Sequence, residues 1–240
     1  MLLRATLRVA ILQLLQKNKG VIKLKLSEKM YNSVVDIWEC YLNHPFVNEM
    51  AAGTLPTEKF HNYMLQDYAY LKDYVKIFAC CLLKSNTIDD IRFFSKNIED
   101  VMSEIDRVHV PNMKKLGITD REIKSVVPTI ENTSYSHFMI CEAEMGDLLT
   151  CLVSLLCCSW TYAFIGENMV KKYPHALNNK YGQWFKGYTC KEYIDTNNDL
   201  INRVDEMSKD ISDEKVEGLC KLFRKCSEYE LSFWNMLYNL

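Results

Sequence analysis

Long stretches of helical periodicity, seldom interrupted by glycine or proline, constrain the fold of this chain most strongly. The 240 residues include only 8 Gly and 5 Pro, so there are few positions at which a helix must end. No segment shows the sustained apolar–polar alternation of a half-buried strand, and no internal repeat is visible. The sequence therefore predicts an all-α fold, a multi-helix bundle.

The individual helices follow from apolar residues spaced three and four apart and from the residues at their ends. Pro56 and Thr57 open a long helix that ends near Ser85. Thr87 caps a helix that must kink or end at Pro111. Further helices are expected over residues 27–45, 119–127, 134–144, 147–172, 178–188, 191–209 and 212–238.

Charge and cysteine content narrow the class of protein. A net charge of −2 gives no basic face of the kind that binds nucleic acid, so we expect no nucleic-acid partner. The 10 cysteines form no C-x-x-C pair and lie mostly in apolar helical contexts. That distribution favours free thiols in a reducing compartment, and we expect a cytoplasmic protein.

Residues 1–26 form a basic extension ahead of a single predicted domain over residues 27–240. No acidic residue precedes Glu28, whereas lysines and arginines recur throughout the extension. This composition fits either an organelle-targeting segment or an ordinary N-terminal tail, and both interpretations stay open. Arginines interrupt its apolar residues well short of the ~20 that span a bilayer, so we expect no membrane anchor.

The segment LLCCSWTYAFIG, residues 155–166, places two adjacent cysteines in an apolar helix. Cys158 and Tyr162 are four residues apart and project from one face, whereas Cys157 points about 100° away from Cys158. Most buried helix cysteines are inert. Core packing and a reactive thiol are therefore both open at this point.

Three other helices carry polar groups among aromatic ones. Asp67 and Tyr70, three residues apart, are either a solvated acid beside a core tyrosine or a recognition site for a ring nitrogen or amino group. Tyr135 and Tyr188 are either packing residues or pocket walls. Glu230 lies on an apolar stripe, where a charged acid is costly to bury. It is either solvent-facing or retained for proton transfer.

A metal site has little support in the sequence. Helical bundles that hold two irons carry paired E-x-x-H motifs. One such motif occurs here, from Glu58 to His61, and the nearest second candidate is the pair Asp106 and His109. Surface charge pairs explain both, so we expect no metal ligands.

Five segments in order carry a resemblance to a known family: HPFVNEMAAGTLPTEKFHNYMLQDYAYL, TSYSHFM, LLCCSWTYAFIG, YGQWFKGY and YELSFW. Together they resemble the TenA family, the thiaminase II or aminopyrimidine aminohydrolase enzymes, over about residues 27–240. The resemblance implies the haem-oxygenase-like all-α fold and a homotetramer. It also implies hydrolysis of 4-amino-5-aminomethyl-2-methylpyrimidine, and of thiamin, to 4-amino-5-hydroxymethyl-2-methylpyrimidine in thiamin salvage, without a metal or organic cofactor.

The same resemblance implies roles for single residues. Cys158 matches the nucleophile, although the family often has a proline where this chain has Cys157. Glu230 matches the catalytic acid/base, and Asp67 matches the residue that anchors the pyrimidine through its ring nitrogen and amino group. Four tyrosines match residues around the substrate: Tyr70, Tyr135, Tyr162 and Tyr188.

Two other classes of function stay open, because a fold does not fix an activity. A non-catalytic pyrimidine-binding or regulatory protein on the same fold would bind the ligand without hydrolysing it. An oxidase on the related metal-binding scaffold would contain stoichiometric iron, and the incomplete ligand set argues against it.

Overall fold

The structure is a computed structural model that describes residues 24–240, and within them the chain is helical without any strand. The predicted all-α class is confirmed. The α-helices are α1 (Leu26–Asn32), α2 (Val35–Asn43), α3 (Pro45–Ala52), α4 (Thr57–Lys84), α5 (Ile88–Glu104), α6 (Val110–Lys115), α7 (Asp120–Ser125), α8 (Ile130–Met145), α9 (Leu148–Lys172), α10 (Gly182–Thr189), α11 (Lys191–Met207) and α12 (Asp213–Asn239). A π-helical turn, Ile105–His109, joins α5 to α6, and a 3₁₀ turn, Pro174–Asn178, precedes α10. The predictions for residues 1–23 of the basic extension lie outside the described residues.

Four long helices, α4, α8, α9 and α12, form the centre of the bundle. Each of them packs against the other three, and α5, α10 and α11 close one side of this group. Because the inward faces of the four helices meet, polar side chains on those faces lie close together in the interior. This arrangement gathers the candidate residues from distant parts of the sequence.

Helix α9 is buried along most of its length because it contacts α4, α8, α10, α11 and α12. It is long and apolar enough to cross a membrane, yet 83% of its most apolar stretch is covered by other parts of the protein. A helix that is hydrophobic all round needs such a covering in a folded domain. Its burial identifies it as a core helix.

The prediction of one helix over residues 27–45 is wrong, because this region forms α1, α2 and α3. Pro45 begins α3 instead of ending a helix, since the first helical position needs no N–H group. The N–H of Phe46 donates to His44 Nδ1 over 3.2 Å, which caps the new helix. Gly53, with a φ of 77°, ends α3 in the left-handed region.

The region around Pro111 also differs from the expectation that the helix kinks or ends at this proline. Helix α5 ends at Glu104, and the π turn inserts an extra residue before α6 begins. Pro111 then lies in the first turn of α6, where its missing N–H costs no hydrogen bond. The π turn leaves His109 buried at the start of α6.

The predicted helix over residues 178–188 begins later, at Gly182, after the 3₁₀ turn. A Cβ atom on Gly182 would lie 2.3 Å from the carbonyl oxygen of Leu177, which is far inside a normal contact. Glycine therefore permits the close approach of the turn to α10. The remaining long helices lie near their predicted positions. Helix α8 is an exception because it starts at Ile130. Thr129 caps it by accepting a hydrogen bond from the N–H of Asn132 over 3.3 Å.

We expect Gly182→Ala to destabilise the protein by about 2–3 kcal/mol, because the new methyl group forces the turn away from α10. Gly218→Ala is the matched control. Gly218 lies within α12, and a Cβ atom added there would meet nothing within 4 Å. That change should stabilise the fold by about 1 kcal/mol. Urea unfolding of both variants measures the difference, and equal stabilities would contradict the packing described here.

Candidate active site

A pocket of about 490 Å³ opens between α4, α5, α9, α10 and α11. Five of the residues predicted from the sequence line it: Asp67, Tyr70, Cys158, Tyr162 and Tyr188. The other two, Tyr135 and Glu230, are buried next to them, each about 1% exposed. The structure thus brings all seven side chains into one region of the bundle.

The two adjacent cysteines of α9 point in different directions. Cys158 lines the pocket, whereas the Cys157 sulfur lies 3.4 Å from Ser227 Oγ of α12 and is fully buried. Burial raises the pKa of the Cys158 thiol well above its usual value, and the charge of Glu230 raises it further, while Tyr70 acts in the opposite direction. Cys158 is therefore a neutral thiol in the empty pocket.

Glu230 lies on α12 and faces the interior, so the solvent-facing interpretation of this residue is wrong. Burial raises its pKa to about 8, the hydroxyls of Tyr135 and Tyr162 oppose this shift, and the charge of Asp67 adds to it. At neutral pH the side chain is a carboxylic acid. A protonated acid beside a thiol can supply a proton to a departing group.

Aromatic rings form the walls of the site. The rings of Tyr70 and Tyr135 are stacked with their centroids 5.5 Å apart and their planes 22° from parallel. Tyr162 and Tyr188 also line the pocket, and their ring centroids are 4.8 Å apart. The buried hydroxyl of Tyr135 has no hydrogen bond of normal geometry within the described residues. Flat aromatic walls suit a flat heterocycle, and the Tyr135 hydroxyl, which also interacts with Glu230, can offer that heterocycle a donor or an acceptor.

Asp67 is buried on α4, so its interpretation as a solvated acid is also wrong. Burial raises its pKa to about 6, the positive charge of His109 opposes this shift, Glu104 adds to it, and Tyr63 opposes it. Among the described residues, Asp67 Oδ2 has no hydrogen-bond partner of normal geometry. Oδ2 lies 3.5 Å from His109 Nδ1 without a hydrogen bond of normal geometry, so the buried carboxylate keeps the capacity to accept N–H groups of a ligand.

Sequence reasoning missed the role of His109 and Glu104 in this region. His109 is not part of a surface pair with Asp106, because it is 6% exposed and its Nδ1 lies 3.5 Å from Asp67 Oδ2. Its Nε2 lies 3.5 Å from Glu104 Oε1. The nearness of Asp106 and His109 in the sequence gave the wrong partner, because the π turn changes which side chains share a face.

His61 also has a different partner from the one its motif suggests. Its Nε2 lies 3.5 Å from Glu122 Oε1 of α7, and both side chains are partly exposed. Tyr63, two residues further along α4, was not singled out in the sequence. Its hydroxyl accepts a hydrogen bond from Trp184 Nε1 over 2.8 Å, which fixes it beside Asp67.

Two curated proteins named aminopyrimidine aminohydrolase are similar to this chain over most of their length. The one from Helicobacter pylori is 34% identical and covers 90% of this chain and 99% of its own. The one from Halalkalibacterium halodurans is 33% identical and covers 90% of this chain and 96% of its own.

Solved structures give the same picture of the fold. A protein described as a TenA family transcription regulator from Silicibacter superimposes with a TM-score of 0.82 at 26% identity, covering 89% of this chain and 96% of its own. A domain described as having a heme oxygenase-like fold, from Shewanella denitrificans, superimposes with a TM-score of 0.73 at 14% identity, covering 90% and 93%. The predicted haem-oxygenase-like fold is confirmed.

A family model agrees with these relatives. The model of the TENA/THI-4/PQQC family matches residues 31–240, which is nearly the whole of the described chain. The resemblance seen in five short segments therefore extends through every helix around the pocket. This protein is a member of the TENA/THI-4/PQQC family.

Proposed function

We propose that this protein converts 4-amino-5-aminomethyl-2-methylpyrimidine, and thiamin, to 4-amino-5-hydroxymethyl-2-methylpyrimidine through a covalent adduct of Cys158. The observation that carries the proposal is the meeting of the Cys158 thiol, the protonated Glu230 and the buried Asp67 around one tyrosine-walled pocket. The protein is a hydrolase of thiamin metabolism, in keeping with its family and its relatives named aminopyrimidine aminohydrolase.

The pocket recognises the pyrimidine through one edge and two faces. Asp67 accepts hydrogen bonds from the exocyclic amino group and from the adjacent ring nitrogen in its protonated form. Tyr70 and Tyr188 contact the ring, and the hydroxyl of Tyr135, which also interacts with Glu230, supplies a further polar contact. A protonated ring beside a carboxylate forms a neutral pair, which suits a buried site.

The first chemical step is the addition of the Cys158 sulfur to the ring carbon next to the substituted one. The proton of the thiol passes to the ring nitrogen beside Asp67, which gives that nitrogen its protonated form, and the sulfur then adds to the electron-poor ring, so no free thiolate precedes substrate binding. The new S–C bond turns the ring into an electron-rich enamine. Its electron pair then expels the amine from the exocyclic methylene, and Glu230 protonates that amine as it leaves.

Water completes the reaction. The Glu230 carboxylate, formed when the amine leaves, takes a proton from water as its oxygen adds to the exocyclic methylene. The S–C bond breaks, the sulfur leaves with its electron pair and takes back the proton of the ring nitrogen, and the ring becomes aromatic again. The sum is exchange of an amine for a hydroxyl group, with no change in oxidation state.

A regulatory role is the second candidate, because the similar Silicibacter protein is described as a transcription regulator. A regulator on this fold would bind the pyrimidine without hydrolysing it. Measurement of both binding and turnover on the same preparation separates the two functions.

Two further proposals concern the oligomeric state of the protein and its location in the cell. We propose a homotetramer, and sedimentation equilibrium measures it. We also propose a cytoplasmic location, which is supported by the ten cysteines, all free. Fractionation of cells that express the full chain tests it.

We expect Cys158→Ser to lower the rate of hydroxymethylpyrimidine release by roughly a thousandfold or more, because the hydroxyl is a far weaker nucleophile. Cys157→Ser is the matched control and should keep activity within about threefold, since its sulfur faces Ser227 and not the pocket. Both substrates should be tested by chromatography of the product. A folded wild-type protein that releases no product from either substrate contradicts the proposal.

We expect kcat/KM to follow a bell-shaped dependence on pH. Asp67 must be ionised, so activity falls below pH of about 6, the pKa of that carboxyl. Glu230 must be protonated, so activity falls above pH of about 8, its pKa. Initial rates between pH 5 and pH 9.5 measure both limbs, and a flat profile would show that these two groups do not act in catalysis.

We expect Glu230→Gln to remove activity while it stabilises the fold at alkaline pH. The folded-state pKa is about 8 against an ordinary 4.5, so the wild type loses stability as the pH rises from 4.5 to 8. The difference between the two proteins should therefore change by on the order of 5 kcal/mol across that range. Thermal unfolding at pH 5 and pH 9 measures this, and a constant difference would mean that Glu230 is not buried as an acid.

A further inference from the structure

His109 occupies a position between two carboxyl groups that no motif of the sequence indicates. Its Nδ1 lies 3.5 Å from Asp67 Oδ2, and its Nε2 lies 3.5 Å from Glu104 Oε1. Both distances are in ion-pair range, although Nδ1 and Oδ2 form no hydrogen bond of normal geometry, and a ring that faces a carboxyl group from each nitrogen is stabilised most when both nitrogens are protonated. The contacts therefore favour the imidazolium form, and Glu104 together with Asp67 raises the pKa of His109 although burial acts against it.

The π turn explains how Glu104 reaches the same ring as Asp67. Five residues along an α-helix rotate a side chain by about 140°, which would place Glu104 and His109 on different faces. The turn Ile105–His109 instead has the wider i to i+5 bonding of a π-helix, as in the bond from the N–H of Val110 to the carbonyl of Ile105. The wider turn brings both side chains to the face that packs on α4.

His109 is also the one positive group, among the described residues, that acts on Asp67. The other groups around this carboxyl carry negative charge or none. Glu104 and Glu230 are acids, Cys158 is a neutral thiol, and the phenols near it are Tyr63, Tyr162 and Tyr188. Without an imidazolium ring, burial would favour the protonated form of Asp67 at neutral pH.

We propose that His109 is a positioning residue for Asp67, which it keeps ionised and oriented toward the aminopyrimidine, while Glu104 holds the imidazolium ring in place. The inference rests on the proposed function, because it concerns the residue that anchors the substrate. A protonated Asp67 would present an O–H group to the amino group and to the protonated ring nitrogen, and both of these are donors. Substrate binding therefore depends on the charge that His109 supplies.

The contacts from Asp67 through His109 to Glu104 also connect the buried carboxyl group of Asp67 to the solvent-exposed surface. The Glu104 side chain is 39% exposed, whereas the His109 side chain is 7% exposed and that of Asp67 is 4% exposed. His109 and Glu104 both line a second cavity of about 180 Å³, which shares Glu104 and Tyr188 with the main pocket. Lys115 and Lys180 line the same cavity, but neither contributes to the pKa shift of Asp67 or His109.

Two substitutions of His109 separate its charge from its shape. His109→Leu removes both the charge and the polar contact, whereas His109→Asn keeps an N–H group near Asp67 without a charge. In both, the acidic limb of the kcat/KM profile should move by about one pH unit or more to higher pH, because Asp67 then ionises less readily. For a shift of one unit from a pKa of about 6, this is a loss of about fivefold at pH 6, which shrinks to less than about twofold at pH 7.5.

The KM and the affinity for product give the second measurement. Calorimetric titration with 4-amino-5-hydroxymethyl-2-methylpyrimidine should show the same pH-dependent weakening, with KM raised more than kcat is lowered. His109→Asn should bind more tightly than His109→Leu at pH 7.5. A merely structural role predicts an equal loss at every pH, and an unmoved acidic limb in both variants would overturn the proposal.

A measurement on the wild type covers variants that fail to fold. The chain has five histidines, and the NMR titration of His109 should have a midpoint above the ordinary 6.5. Glu104→Gln, on a partly exposed position, should lower that midpoint. A midpoint below 6.5 would overturn the proposal. A wild-type protein that neither binds nor hydrolyses the pyrimidine would instead refute the proposed function, so the two failures are distinct.

Discussion

The fold depends on the burial of helix α9, which other helices cover on nearly every side. An apolar helix of this length is stable in a folded domain only if other helices remove it from water. In this protein α4, α8 and α12 pack on it and on one another, while α10 and α11 cover the remainder. Cys158 lies on this most buried helix, so its thiol is close to Tyr70 and Asp67 of α4 and to Glu230 of α12, and burial keeps its pKa high.

The two buried carboxyl groups of the site have opposite protonation states because their neighbours differ. Burial raises the pKa of both, but Asp67 has the positive charge of His109 beside it, whereas Glu230 has phenols and no positive group. At neutral pH one is therefore a base that accepts hydrogen bonds and the other is an acid that donates a proton. A pair of carboxyls separated in this way is typical of acid–base catalysis in a single pocket.

Much of the fold could be predicted from the sequence because its long helices carry strong local signals. Helix α4 opens after Pro56, and α9 and α12 begin at capping side chains of Asp147 and Ser212. The start of α3 could not be predicted, since Pro45 ends one helix pattern as readily as it begins another.

The site was predictable only in part. Resemblance to a family named the seven side chains that the bundle gathers around the pocket. The position of His109 depends on a π turn, which no residue type in the sequence indicates, and on contacts with helix α4. The pKa values of Asp67 and Glu230 follow from burial by helices that are distant in the sequence, so no local pattern contains them.

The neutral state of the Cys158 thiol has a consequence for redox chemistry. Peroxides and alkylating reagents attack the thiolate, and the empty pocket holds very little of it. Cys40 and Cys141, which are exposed, meet such reagents first. We therefore expect oxidative damage to this protein to begin at its surface, while the burial that raises the pKa of Cys158, the proposed nucleophile, protects this sulfur.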